Sequence, residues 1–141
     1  MASINFFAED IDFVLKQKMA IRTWITETAK TEGFRVRELN FIFCSDEYLL
    51  GINQQYLNHD TLTDIVTFDN SEDEGVLVGD IFISVERVRE NAGIFKVAEQ
   101  DELHRVIIHG VLHLCGYGDK KPADKKKMTE KEDYFLARRN F

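Results

Sequence analysis

The 141-residue chain reads as a single α+β domain over residues 1–141, a small mixed four-stranded sheet packed in a three-layer manner with about five helices. Two patterns carry this expectation. Short runs rich in β-branched and aromatic residues recur four times, and between and after them apolar residues return at the helical period. Composition agrees: 44% of residues are hydrophobic, 11 are Phe and one is Pro, which supplies a core and few breakers.

In chain order, "SINFFAE" is apolar enough for a first strand. "DIDFVLKQKMAIRTWITETAKTEG" places Ile11, Val14, Leu15, Met19, Trp24 and Ile25 at helical spacing, with Gly33 as its stop. "RVRELNFIFCS" alternates and then turns apolar, as a strand entering a core does. Ser45 and Asp46 are cap residues for a helix "DEYLLGINQQYLN". "TDIVTFD" and "VLVGDIFISV" are two further strands joined by the polar loop "NSEDEG". Ser84 caps "VERVRENAGIF". A longer helix is expected over Val97–Cys115, ended by Gly116. The tail from Ala123 forms a last helix with Met128, Tyr134, Phe135 and Leu136 facing inward.

No apolar run approaches the roughly 18 residues that a membrane span needs, and "MASINFFAEDIDF" has no basic leader before an apolar core. Cys44 and Cys115 make no disulfide framework. These features point to a cytoplasmic protein with no membrane partner. A net charge of −7 argues against nucleic-acid binding through global charge, and no DNA partner is expected. Charge is uneven, however: six lysines fall in Asp119–Lys131. That run, with Lys120 and Lys121 at its head, suits either a solvated face or a local phosphate-attracting rim.

The stretch with most chemistry is "HGVLHLCGYGDKK", His109–Lys121. On a helix the four-residue spacing sets His109 and His113 on one face, about 6 Å apart along the axis. Such a pair suits a shared metal ion or two hydrogen-bonded core histidines. Gly116 and Gly118 favour the first, because they let the chain reverse and bring Asp119 back toward the imidazoles. Three ligands with open positions form the catalytic pattern rather than the closed structural one, at the C-terminal end of a central helix. Cys115 lies about 200° round the helix from His113 and is expected to be a small buried residue. His104 lies about 140° from His109 and is expected to pack rather than ligate.

"HGVLHLCGYGD" closely resembles the signature of the YbeY family of metal-dependent endoribonucleases, His-Gly-x-Leu-His-Leu-x-Gly-Tyr-Asp-His. "NQQYLNHDTLTDIVTFD" and "GDIFIS" resemble two further family segments, in the family's order. The resemblance implies an endoribonuclease acting in ribosomal RNA maturation, including 16S rRNA 3′-end processing, and in ribosome quality control. It also implies one zinc-type ion per chain and ribosomal RNA and the small ribosomal subunit as partners. His109 and His113 match two family metal ligands. The third family histidine falls at Asp119, a legitimate zinc ligand that also admits iron, manganese or nickel; an alignment inserting Gly118 places Lys120 there instead, and a protonated lysine cannot ligate a cation. The family arginine after Asn-x-x-Tyr is Leu57 here, and Arg105, Lys120 and Lys121 are the cations considered in its place.

Gly110 stands where a zinc peptidase carries its glutamate base, so that role is excluded, and the simplest scheme left leans on the metal itself, with metal hydroxide either attacking phosphorus or acting as base on the ribose 2′-hydroxyl. His109, His113 and Asp119 are therefore the expected metal-binding and catalytic set. Thr63 and Asp64 match the family's substrate side, and His59 lies in the loop before them. Tyr56 is expected to pack in the core, with Asn53 on its helix face. Asp80, after Gly79 in mid-strand, needs hydrogen-bond partners and is expected near the metal helix, orienting a histidine. Two other readings are compatible with the residues: a metal-dependent hydrolase of another substrate, and a ribosome-associated module with a structural metal.

Overall fold

The computed structural model describes residues 2–59 and 61–141. Its elements are β1 (Ser3–Ala8), α1 (Lys18–Thr31), β2 (Arg35–Cys44), α2 (Asp46–Leu57), β3 (Ile65–Asp69), β4 (Val76–Ser84), α3 (Val85–Phe95), α4 (Glu99–Leu114) and α5 (Pro122–Leu136). The sheet order is β1-β2-β4-β3. β1 and β4 run parallel to β2, and β3 runs antiparallel to β4. The mixed four-stranded sheet and five helices are the α+β arrangement expected from the sequence.

Alternation along the strands sorts the chain into two apolar clusters. Ile4, Leu39, Phe41, Phe43, Leu77, Ile81 and Ile83 pack with Ile21, Trp24 and Ile25 of α1 and with the apolar face of α4. On the other sheet face, Cys44, Val66, Phe68 and Phe82 pack with Leu49 of α2. α5 lies against α4, and the Trp24 indole donates to the Phe135 carbonyl at 2.9 Å, joining α1 to α5.

Local signals account for most boundaries. Ser45 and Ser84 accept from the backbone N–H of Tyr48 and Arg87 and cap α2 and α3 as expected. α1 starts eight residues later than its periodicity suggests. Asp10 has φ 43 and Gln17 φ 61, so the chain between them is not helical. The Asp10 carboxylate instead accepts from the Ser45 N–H at 3.1 Å and its hydroxyl at 2.5 Å, tying the segment after β1 to the start of α2. Leu15 is buried, but Val14 and Met19 are 73% and 74% exposed, against the inward-facing pattern. α4 begins at Glu99 rather than Val97, because Lys96 takes a left-handed C-cap to α3 and Ala98 is extended. In α5, Met128 and Phe135 are buried, whereas Tyr134 is exposed.

α4 runs close to the sheet, and Gly110 sets that distance. A Cβ built there would meet Ile65 Cδ1 at 2.9 Å and Ile81 Cγ2 at 3.1 Å. The residue that excludes a glutamate base is thus also a point of close helix–sheet approach.

Candidate metal centre

α4 ends in a Schellman turn. The Gly116 N–H donates to His113 O at 3.0 Å and the Tyr117 N–H to Leu112 O at 3.1 Å, with Gly116 at φ +104. The turn is pinned from outside. The Tyr117 hydroxyl donates to Glu32 at the end of α1 at 2.5 Å, and Lys131 of α5 donates to the same carboxylate at 3.0 Å. The chain therefore doubles back, and Asp119 returns to the last turns of α4.

Each imidazole is held by its Nδ1. His109 Nδ1 donates to Glu132 Oε2 at 2.6 Å, and His113 Nδ1 donates to the Tyr117 carbonyl at 2.8 Å. Both partners accept, so each ring keeps a proton on Nδ1 and turns Nε2 toward the cleft. The two Nε2 atoms face Asp119: its Oδ2 lies 3.2 Å from His109 Nε2 and 3.7 Å from His113 Nε2. One ligand atom from each of the three residues falls within 4.8 Å of the others. Ligands about 2.0–2.1 Å from one tetrahedral ion stand roughly 3.4 Å apart, so these spacings fit a divalent ion. Two imidazoles held by acceptors behind them, each with Nε2 turned to the same point, together with a carboxylate, also form the donor chemistry that such an ion takes.

The sequence did not single out Glu132. It occupies the buried stripe Met128–Glu132–Phe135 of α5, where a charged side chain requires partners. Its Oε1 accepts from Arg105 Nη1 at 2.8 Å while Oε2 holds His109. Burial alone would lower the His109 pKa. The hydrogen bond and charge of Glu132, with Asp119 and Asp64, outweigh burial and hold it above its ordinary value. The Asp64 carboxyl is raised above the usual range chiefly by burial, with Glu132 and Asp119 adding to the rise against the pull of His109.

The three convergent residues open into a cleft of about 340 Å³. Asn53 and Leu57 at the end of α2, His59, Thr61, Thr63 and Asp64 in the following loop, and Ile65–Thr67 of β3 line it with His109, His113 and Asp119. Thr63 and Asp64 precede β3 rather than opening it. Asn53 is buried and donates to the Thr61 carbonyl at 3.1 Å, which ties the loop to α2. Tyr56 is 59% exposed and sits edge-on to Phe68, with ring centroids 5.8 Å apart, so it is a surface residue rather than a core one.

Other expected residues lie elsewhere. Lys120 and Lys121 are exposed and outside the cleft lining. Arg105 is engaged by Glu132 and by Asp133, the latter at 2.6 Å, behind His109. Among the described residues, no Lys or Arg lines the cleft. Asp80 does not orient a histidine. Strand alternation puts Gly79 and Ile81 toward α4, so Asp80 faces the other way and accepts from Asn40 and Asn70 at 3.0 and 3.4 Å. Cys115 packs against the core, its thiol raised to about 12 by burial and by Glu32. His104 is buried between Trp24 and Phe141, away from the cleft.

Comparison with known proteins then decides the family. The family model described as Endoribonuclease YbeY matches residues 3–140. The chain belongs to the YbeY family. An Endoribonuclease YbeY of Cytophaga hutchinsonii is 52% identical over 139 residues, covering 99% of this chain and 97% of the relative. The YbeY of Flavobacterium psychrophilum is 52% identical over 133 residues, covering 94% and 92%. The solution structure of TM1509 from Thermotoga maritima superposes with a TM-score of 0.65 at 30% identity, covering 94% of this chain and 86% of that one. The YbeY signature resemblance and the fold therefore agree, and the convergent trio lies in the signature segment itself.

Proposed function

We propose that the chain is a metal-dependent endoribonuclease, with residues 1–141 acting as one hydrolase domain on ribosomal RNA in the cytoplasm. Its expected substrate is 16S rRNA near the 3′ end, met on the small ribosomal subunit during maturation and quality control. The observation that carries the proposal is the convergence of His109 Nε2, His113 Nε2 and Asp119 Oδ2 at the mouth of a cleft, with both Nδ1 atoms already occupied. Membership of a family named for endoribonuclease activity supports the choice of RNA as substrate.

In this reading His109, His113 and Asp119 hold one divalent ion, with zinc expected and iron, manganese or nickel compatible with the donors. A bound ion of this kind supplies Lewis acidity toward a phosphoryl oxygen and lowers the pKa of water. The chain's own residues do the rest. Glu132 and the Tyr117 carbonyl fix the two rings, and the Schellman turn at Gly116 returns Asp119 to them. Thr63, Asp64 and His59 form the substrate side, where the hydroxyls of Thr61 and Thr67 add hydrogen-bond donors for phosphate oxygens. Gly110 provides no base, and none is needed at that position.

The test is cleavage of a 16S rRNA 3′ fragment by purified protein, wild type beside His113→Ala. Cleavage that disappears on chelation, returns with added zinc, and is absent in the folded variant supports the proposal. Equal cleavage by metal-free wild type, or by His113→Ala, overturns it.

A further inference from the structure

The cleft has an unusual balance for a site that receives a polyanion. Among the described residues its lining holds Asp64 and Asp119 but no Lys or Arg. Leu57, where the family signature carries an arginine, is 41% exposed and lines the cleft beside Asn53. Tyr56, next to it in the last turn of α2, is 59% exposed, and Leu62, between the lining residues Thr61 and Thr63, is 53% exposed. Leu57 thus lines the cleft itself, and Tyr56 and Leu62 are large exposed side chains next in sequence to lining residues. Tyr56 is braced edge-on by Phe68 of β3, which gives it a fixed orientation without burying it. The nearest cation run in sequence, Lys120 and Lys121 followed by Lys125–Lys127, leaves from Asp119 and lies outside the lining.

The side chains of Tyr56, Leu57 and Leu62 carry no positive charge for a phosphate. A nucleobase is the part of RNA that they fit, since every base has an apolar π-face that stacks on aromatic and aliphatic side chains independently of charge. We infer that Tyr56, with Leu57 and Leu62, is a nucleobase platform that seats one base of the RNA beside the scissile phosphate. The inference rests on the proposed RNA substrate. Asn53 supports it locally: its hydrogen bond to the Thr61 carbonyl holds the loop carrying Leu62 against the end of α2 carrying Tyr56 and Leu57.

The test separates base contact from backbone contact and from cleavage. Fluorescence anisotropy measures zinc-loaded protein binding two oligoribonucleotides of equal length with 2′-O-methyl riboses, which resist cleavage. One carries adenine throughout and the other has a central abasic stretch. The wild type is expected to bind the adenine oligomer at least about fivefold more tightly, the low end for one stacked base. Tyr56→Ala should remove most of that preference, and Tyr56→Phe should keep it, with zinc content unchanged in both. Equal affinity of the wild type for the two oligomers, a preference that survives Tyr56→Ala, or no binding to either overturns the inference. A base-dependent preference in a protein that cleaves no RNA would leave the platform standing and sink only the endoribonuclease proposal.

Discussion

Glu132 Oε2 lies 2.6 Å from His109 Nδ1, so a residue of α5 sets the orientation of an imidazole on α4. The same carboxylate takes Arg105 on its other oxygen, and Arg105 in turn holds Asp133. The imidazole that faces the cleft is therefore anchored through the packing of two helices.

If Glu132 acts as that anchor, Glu132→Gln should weaken zinc binding by about 10- to 100-fold, the usual effect of losing a carboxylate behind a metal histidine. Competition with a chromophoric chelator measures the loss. Unchanged zinc affinity in a folded Glu132→Gln protein would show that the contact is structural only.

Asp119 stands where the family signature has histidine, and it is the only one of the three whose position depends on a turn rather than a helix. Asp119→Ala should reduce bound zinc from about one ion per chain to a small fraction, measured by elemental analysis after gel filtration. Circular dichroism should remain at the wild-type level, because Asp119 is a partly exposed residue outside the core. Asp119→His should restore binding if the turn at Gly116 brings the side chain to the same point.

The elements with local signals were legible from sequence. Ser45 and Ser84 announce α2 and α3, β-branched and aromatic runs announce the strands, and the two glycines after α4 announce the reversal that returns Asp119. What was not legible depends on partners distant in sequence. The start of α1 is set by the Asp10 carboxylate bonding Ser45, 35 residues on, while Ile11, Val14 and Leu15 counterfeit a helical period. Tyr56, two turns on from Leu49, shares its face of α2, yet at the end of the helix it meets only the edge of Phe68 and stays 59% exposed. Glu132 had a readable signal in its place between Met128 and Phe135, but its partner His109 is fixed only once α5 docks on α4. The orientation of Asp80 follows from strand parity as soon as Gly79 is known to face Leu114.

Gly110 offers a packing test. Gly110→Ala gains about 1 kcal/mol of helix propensity but drives a methyl against Ile65 and Ile81, an overpacking that costs about 1–3 kcal/mol. The expected net change is a loss of up to ~2 kcal/mol in urea unfolding. Ile65→Val removes the Cδ1 atom that lies 2.9 Å from the added methyl. Placed on top of Gly110→Ala, it should therefore cost less than the roughly 0.5–1.5 kcal/mol it costs in the wild type. Strict additivity in the double-mutant cycle would mean that α4 shifts bodily instead of pressing on Ile65.

His104 supplies the pH dependence. Its Nδ1 lies 2.7 Å from Arg139 Nη1 and so accepts from it, and its buried Nε2 has no partner among the described residues. Burial first, and the Arg139 charge second, depress its pKa from 6.5 to about 4. The neutral ring is thus the folded form. Above pH 6.5 the residue is neutral in both folded and unfolded chains and adds no pH dependence. As pH falls from 6.5 toward 4, the unfolded chain takes up the proton that the folded one refuses, and stability drops by up to about 3 kcal/mol. Comparing melting temperatures at pH 7.5 and 4.5 checks this. His104→Gln should be less stable than wild type at pH 7.5, because ring packing against Trp24 and Phe141 is lost, but should lose less on going to pH 4.5. Parallel losses in the two proteins would assign the acid sensitivity to the carboxylates around His109 rather than to the buried imidazole.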